Sequence, residues 1–250
     1  MKKALVTGAN SGIGLEIARI LAQNGYQITG VARNYERLEN EFTTFQGEGH
    51  KCVSADLSTL EGIEIVRRLV SERFDVWVNN AGAGLYGDFH SKTYDQLQEM
   101  INLNINSLTA LSYEYLKSAR KGDALINVAS VLAFTTFANA TTYSGTKAYV
   151  VNFSQGLWAD FRKKGILVQA FCPGATISDF HNRAGGDTKK MPKFIMQTSQ
   201  QVAKEFYKSL VNRVGPVKVS GRLNRFFVLQ SRILGPKLMA MIQGSTKIEK

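Results

Sequence analysis

Ala4-Leu5-Val6-Thr7-Gly8-Ala9-Asn10-Ser11-Gly12-Ile13-Gly14-Leu15 reads as an apolar strand that passes through a glycine-rich turn straight into a helix. Glycine at 8, 12 and 14 permits a tight turn and lets backbone come close to a ligand. The helix that follows offers unpaired N–H groups at its first turn, which suit a phosphate or pyrophosphate. The spacing is GxxxGxG, not the GxGxxG of the commonest dinucleotide fingerprint. Gly8, Asn10, Ser11, Gly12, Ile13 and Gly14 are therefore candidate dinucleotide contacts. Taken alone, a glycine-rich turn is equally compatible with a plain β–α connection; the strand before it and the helix after it favour the binding reading.

The same rhythm continues outward. Apolar runs at 4–7, 27–32, 52–55, 76–79, 124–129 and 167–171 read as short buried strands. Amphipathic stretches at roughly 12–24, 34–46, 59–72, 92–120 and 142–164 read as helices between them. Strands that tolerate continuous apolar residues are covered on both faces, so the expected fold is α/β, a Rossmann-type doubly wound parallel sheet with helices on both sides. No repeat or linker divides the chain. Its 250 residues are expected to form a single domain, with a substrate-lid and basic C-terminal region over about 175–250. Beyond residue 175 the alternation loosens, and the Gly/Lys-rich 185–193 stretch reads as a loop.

In such a fold the end of the second strand meets the adenosine ribose. An acidic residue about 20 positions past the glycine turn selects a free 2′-hydroxyl, and an arginine accommodates a 2′-phosphate. Arg33 lies nineteen residues past Gly14, and no carboxylate occurs between Glu16 and Glu36. NADP(H) is favoured and NAD(H) is the alternative, Arg33 then being a solvated residue at a helix start. Asp56-Leu57 ends the third strand; Asp56 could accept a hydrogen bond from the adenine amino group or cap the next helix.

Tyr143-Ser144-Gly145-Thr146-Lys147 opens a helical pattern, and residues four apart share one helix face. A tyrosine of ordinary pKa is a poor base at neutral pH, and a neighbouring cation is expected to lower that value. Thirteen residues earlier, Ser130 follows the apolar 124–129 run, at the strand end where open α/β sheets place ligands. Its hydroxyl could hydrogen-bond a substrate oxygen as charge develops there.

TGANSGIG at 7–14, NNAG at 79–82, LNINS at 103–107, Ser130, YSGTK at 143–147 and CPG at 172–174 occur together, and in this order and spacing the sequence resembles the short-chain dehydrogenase/reductase family over residues 3–180. The resemblance implies that Tyr143 exchanges a proton with the substrate oxygen, Lys147 holds the nicotinamide ribose and depresses the tyrosine's pKa, and Ser130 polarises the substrate. It implies that Asn104 holds a water connecting Lys147 to solvent, and that the backbone around Asn79–Gly82, with Asn79, Ala81 and Gly82, lines the cofactor ribose. Pro173 and Gly174 would lie beside the nicotinamide, with Thr176 and Ser178 contacting the cofactor; Ser178 stands where the family usually has threonine. The implied activity is hydride transfer between NADP(H) and a carbonyl or secondary alcohol, with a ketone of apolar or acyl type as substrate. The family also commonly pairs its two long helices across a two-fold axis, implying a homodimer or homotetramer.

The net charge of +11 is confined to the C-terminal part: residues 183–250 hold 14 Lys/Arg against 3 Asp/Glu. Residues 217–220 read as an edge strand. After them Arg222, Arg225, Arg232 and Lys237 interleave with large apolar residues. The commonest origin of that pattern is an amphipathic helix packed on the domain. A peripheral membrane contact is the second reading, and a platform for an anionic acyl carrier or fatty substrate the third. No apolar run reaches the roughly 20 residues of a membrane span, and the N-terminal apolar run is too short for a signal peptide. Cys52 and Cys172 form no disulfide framework, which suits a reducing, cytoplasmic setting. His50, His90 and His181 share no ligand spacing, so no metal is expected. Two other functions compete: a catalytically inactive dinucleotide-binding regulator, against which the full set Ser130, Tyr143, Lys147 and Asn104 argues, and membrane or nucleic-acid binding through the basic segment. No specific nucleic acid is expected.

Overall fold

A computed structural model describes residues 1–135, 137–186 and 195–244. The central sheet is built from β1 (Lys2–Thr7), β2 (Tyr26–Ala32), β3 (Lys51–Ser54), β4 (Val76–Asn79), β5 (Ala124–Val128), β6 (Leu167–Cys172) and β9 (Val217–Val219). All seven run parallel in the order β3-β2-β1-β4-β5-β6-β9. Side-chain alternation explains why the inner strands are mostly apolar. Ala4 and Val6 of β1 enter the core on one face of the sheet, and Leu5 enters the other. Val76 and Val78 of β4 likewise oppose Trp77. A strand with two dry faces has no position left for a solvated side chain.

The first face is covered by α1 (Gly12–Gln23) and α8 (Ser199–Val211), where Leu15, Ala18 and Leu21 meet Val202, Phe206 and Leu210. Against the other face pack α3 (Leu60–Arg68), α5 (Leu108–Ser118) and α6 (Thr141–Phe161), with Ile63, Val66, Leu111 and Tyr115 around Trp77. The chain order reverses between β1 and β4, so the connections leaving these two strands diverge and open a crevice at their C-terminal ends.

Three features depart from the sequence reading. The helical pattern over 92–120 is α4 (Tyr94–Ile101), a wide π turn (Asn102–Ser107) and then α5. A two-stranded parallel ribbon, β7 (Thr176–Ile177) with β8 (Gln197–Thr198), forms where no strand was expected. The helix α8 was also not foreseen, although Thr198 and Gln201 form a full capping box at its start. The loop expected at 185–193 lies largely outside the described residues. The remaining helices are α2 (Tyr35–Phe42), α7 (Asp179–Arg183) and α9 (Arg222–Gly244), which is kinked at Gly235. No described helix is long and apolar enough to cross a membrane.

Candidate active site

A cleft of about 910 Å³ starts at the glycine turn and crosses the C-terminal ends of β1, β4, β5 and β6. The turn is stitched to β4. Thr7 Oγ1 accepts from the N–H groups of Asn80 and Ala81, both at 2.9 Å, and the Asn80 amide donates to the carbonyl oxygens of Thr7 at 2.9 Å and Gly8 at 3.3 Å. Gly8 sits at φ +67, a left-handed conformation that a side chain strains. At Gly14 the constraint is space: a Cβ there would overlap the Asn80 amide and the Gly8 carbonyl. Ser11 makes no side-chain cap bond to α1, and the helix has no acidic residue in its first turn, which leaves its N-terminus disposed toward an anion.

At the far end of this half, Arg33 reaches the cleft wall together with Asp56 and Glu99, which lie 3.8 and 3.9 Å from its guanidinium. Of the two sequence alternatives for Asp56, the helix cap is not realised, since Thr59 takes that place, and its carboxylate is already engaged. Oδ1 accepts from the Ser58 N–H at 3.0 Å and from the Ser58 hydroxyl at 2.7 Å, while Thr59 caps α3. Burial opposes ionisation of Asp56, but the two Ser58 hydrogen bonds and the Arg33 charge together hold its pKa below the usual value. Arg37, in the first turn of α2, also lines the cleft and pairs with Asp179 of α7 at 3.9 Å.

At the opposite end Ser130, Tyr143 and Lys147 converge. Ser130 leaves the end of β5 and hydrogen-bonds with the Tyr143 hydroxyl; its Oγ also accepts from the Leu132 N–H at 3.2 Å. Lys147 sits one turn along α6 from Tyr143, with Nζ 5.8 Å from the tyrosine ring centre and donating to the Val128 carbonyl at 2.9 Å. Asn104 stands behind them in the π turn. Its Oδ1 accepts from the Ala83 N–H at 2.9 Å, and its Nδ2 donates to the Ala83 carbonyl at 2.9 Å and to Thr146 Oγ1 at 3.0 Å. The side chain is thus a strut between the post-β4 loop and α6.

The expected lowering of the tyrosine pKa by the cation is reversed. Burial pushes Tyr143 up to about 12, outweighing the downward pull of the Ser130 hydrogen bond. The same burial pushes Lys147 down to about 8. Both groups lose water together, and at this separation the amine points to a carbonyl, so desolvation dominates for each. A folding consequence follows. The unfolded amine keeps its proton to near 10.5, whereas the folded one releases it near 8, so between these values the unfolded chain binds more protons and folded stability gains as pH rises. Urea unfolding of the native chain and Lys147→Met, compared at pH 7, 8, 9 and 10, is expected to shift in favour of the native chain across that window. A pH-independent difference would contradict the desolvated amine.

Of the residues singled out in the sequence, Gly8, Asn10, Ser11, Gly12, Ile13, Gly14, Arg33, Asp56, Leu57, Ala81, Gly82, Ser130, Tyr143, Lys147, Pro173, Gly174, Thr176 and Ser178 line the cleft. Asn79 does not. Its side chain turns into the core, accepting from Trp77 Nε1 at 2.9 Å and donating to Asn127 at 2.9 Å and Ser112 at 3.1 Å. As the last residue of an inner strand it alternates away from the crevice, which its neighbour Asn80 occupies. Asn104 is likewise behind the wall and not on it.

Several cleft residues went unread. Arg37 was legible in principle, in the first turn of the helix that starts just past Arg33. Tyr86 and His181 were not, because they meet only through tertiary packing. Their rings stack at 5.9 Å with Tyr86 Oη 3.3 Å from His181 Nδ1, and the Tyr86 ring meets Tyr143 edge-on at 6.0 Å. Burial raises the Tyr86 pKa and lowers that of His181, so both are neutral at physiological pH.

Residues 2–189 match the family described as short chain dehydrogenase. An uncharacterised oxidoreductase of Staphylococcus aureus (strain USA300) is 32% identical over 178 residues, covering 69% of this chain and 77% of that protein. A 3β-hydroxysteroid dehydrogenase of Mediterraneibacter gnavus is 33% identical over 202 residues, covering 75% of this chain and 71% of that protein. Among solved structures, a short-chain dehydrogenase from Sphingobium yanoikuyae in complex with NADPH superposes with a TM-score of 0.83 at 27% identity, over 99% of this chain and 98% of the other. The order of strands, the glycine turn and these matches agree: the chain belongs to the short-chain dehydrogenase family of NAD(P)-dependent oxidoreductases.

Proposed function

We propose that the chain interconverts an apolar ketone and its secondary alcohol, with NADP(H) as the hydride partner. The observation that carries this reading is the meeting of Ser130, Tyr143 and Lys147 at one end of a cleft whose other end begins at the glycine turn. The residues fit a dinucleotide. Side chains are missing where a flat ligand would lie close: a Cβ on Gly82 would stand 3.1 Å from Asn104 Oδ1 and 3.4 Å from Lys147 Nζ. The α1 N-terminus and the Gly8–Gly14 turn would hold the pyrophosphate, and Arg33 with Arg37 would receive a 2′-phosphate. A bound nicotinamide supplies the hydride. Tyr143, its pKa pushed up to about 12, keeps its hydroxyl proton at neutral pH and gives it to the substrate oxygen. Ser130 Oγ donates a hydrogen bond to that oxygen, and Lys147 orients the group beside it.

The substrate half of the cleft is walled by Leu85, Tyr86, Met100, Phe137, Phe180 and Phe227, which supports an apolar substrate. The 3β-hydroxysteroid dehydrogenase relative and the NADPH complex of the Sphingobium protein support the same substrate character and cofactor. The two-fold contact implied by the family fits the outer faces of α5 and α6, where Tyr113 and Tyr149 are exposed. The test is a panel of bulky ketones and secondary alcohols assayed by nicotinamide absorbance with both cofactors. Turnover with NADPH is expected, and Arg33→Ala is expected to lower kcat/KM for NADPH by roughly tenfold or more, the worth of a charge-assisted hydrogen bond. The value for NADH should hold. Equal losses with both cofactors would remove Arg33 as the selectivity residue, and no turnover across the panel would remove the ketone reading.

A further inference from the structure

We propose that α9 is a membrane-docking element whose outer face seats on an anionic lipid surface. The catalytic reading leaves this helix unused except for Phe227, which lines the cleft. Its inner face is fixed to the domain. Val228, Ser231 and Met239 are buried, Asn224 donates to the Ser220 carbonyl at 2.7 Å, and Arg232 lies over the Phe134 ring at 5.5 Å. The outer face presents Leu223, Phe226, Leu229, Ile233, Leu234 and Leu238, with Phe226 59% and Ile233 74% exposed. Leu223, Phe226, Leu229 and Ile233 recur every three or four residues and form one stripe up to the kink at Gly235, with Leu238 exposed beyond it.

Charge selects the occupant. The helix carries Arg222, Arg225, Arg232 and Lys237 and has no acidic residue. All four cations are exposed, beside the apolar stripe. A second copy seated on this face through a two-fold axis would bring like charges together around an apolar centre, which opposes association. An anionic headgroup layer neutralises them while the stripe enters the acyl boundary, the arrangement of an interfacial helix. The position matters as well as the composition. Phe227 faces the cleft while its neighbour Phe226 faces outward, and Ile195, another cleft residue, is 38% exposed. The cleft therefore borders the docked face, so a ketone dissolved in the bilayer could pass into it along α9.

The full chain is sedimented with large vesicles of phosphatidylcholine alone, or of phosphatidylcholine and phosphatidylglycerol in equal parts, at roughly 0.05 and 0.5 M salt. Anionic vesicles at low salt are expected to bind roughly tenfold more tightly or better than neutral ones, with the difference collapsing at high salt. Leu229→Ser/Ile233→Ser and Arg222→Glu/Arg225→Glu should each lower binding by roughly tenfold or more. Fluorescence quenching by NADPH, measured in parallel, should be unchanged in both, since none of the four residues lines the cleft. If the serine variant fails to fold, the arginine variant and the salt series decide the matter. Equal binding to both vesicle types, or undiminished binding by a folded variant, overturns the proposal. So does absence of vesicle binding together with a native oligomer that dissociates in the serine variant, which assigns the face to a second copy. Vesicle binding requires no turnover, so its failure leaves the oxidoreductase reading intact.

Discussion

Tyr143→Phe is expected to lower ketone turnover by at least about a hundredfold while dinucleotide affinity stays within about twofold. The substitution removes one oxygen and little else. The Tyr143 ring is packed edge-on against Tyr86 at 6.0 Å and against Phe180 at 5.8 Å, and phenylalanine preserves both contacts. What disappears is the hydroxyl proton, which a pKa of about 12 keeps in place at neutral pH. A raised pKa also gives the reaction a direction. As an acid Tyr143 is ready at neutral pH, whereas as a base it must first lose a proton, so alcohol oxidation should accelerate with pH more steeply than ketone reduction declines. Steady-state rates for the variant, with affinity from fluorescence titration, test this. A variant that retains more than about a tenth of native turnover removes Tyr143 from the proton-transfer role.

The second large effect is expected at Gly14. Gly14→Val places branched carbon where the Asn80 amide and the Gly8 carbonyl already stand. Neither neighbour is free to yield. The Asn80 side chain holds the Thr7 carbonyl at 2.9 Å, and Gly8 N–H donates to the Val31 carbonyl at 2.8 Å. The turn and the end of β4 must therefore separate. Overpacking of this kind destabilises by about 1–3 kcal/mol. Loss of the turn geometry is expected to weaken dinucleotide binding by about a hundredfold, equivalent to about 2.7 kcal/mol. Thermal unfolding with and without NADPH reads both effects. The native chain should gain stability from the ligand and the variant should not. A variant stabilised as strongly as the native chain would show that the pyrophosphate lies elsewhere.

How much of this could be read from the chain depended on how locally each feature is determined. The strands β1 to β6 were legible because burial on both faces makes most of their residues apolar, as in the wholly buried Ala124–Val128, where only Asn127 is polar. Tyr143 and Lys147 were legible because one helical turn fixes their relation, whatever lies around them. The break at residues 102–107 was not. Asn104 is a poor helix former that by itself suggests no more than a kink, and the wide turn coincides with tertiary bonds from Asn104 to Ala83 and Thr146. The sign of the Tyr143 shift was misjudged for a related reason: sequence names the neighbouring cation but not the depth at which both groups are buried. The helix α8 carried a readable signal in Thr198 and Gln201, followed by Val202, Ala203, Phe206 and Leu210 at helical spacing.

The hydrogen bonds that take Asn79 out of the cleft have a consequence for how the family member can change over time. Trp77 donates to Asn79, Asn79 to both Asn127 and Ser112, and Asn127 to Ser154, a buried network of indole, amide and hydroxyl groups that runs from β4 through β5 to α6. Removing any one member strands its neighbour without a counterpart in a dry interior, whereas exchanging linked members together for hydrocarbon of similar shape can be nearly neutral. Mutational drift at these positions is thereby coupled: viable paths pass through paired replacements, and the network should persist or vanish as a unit.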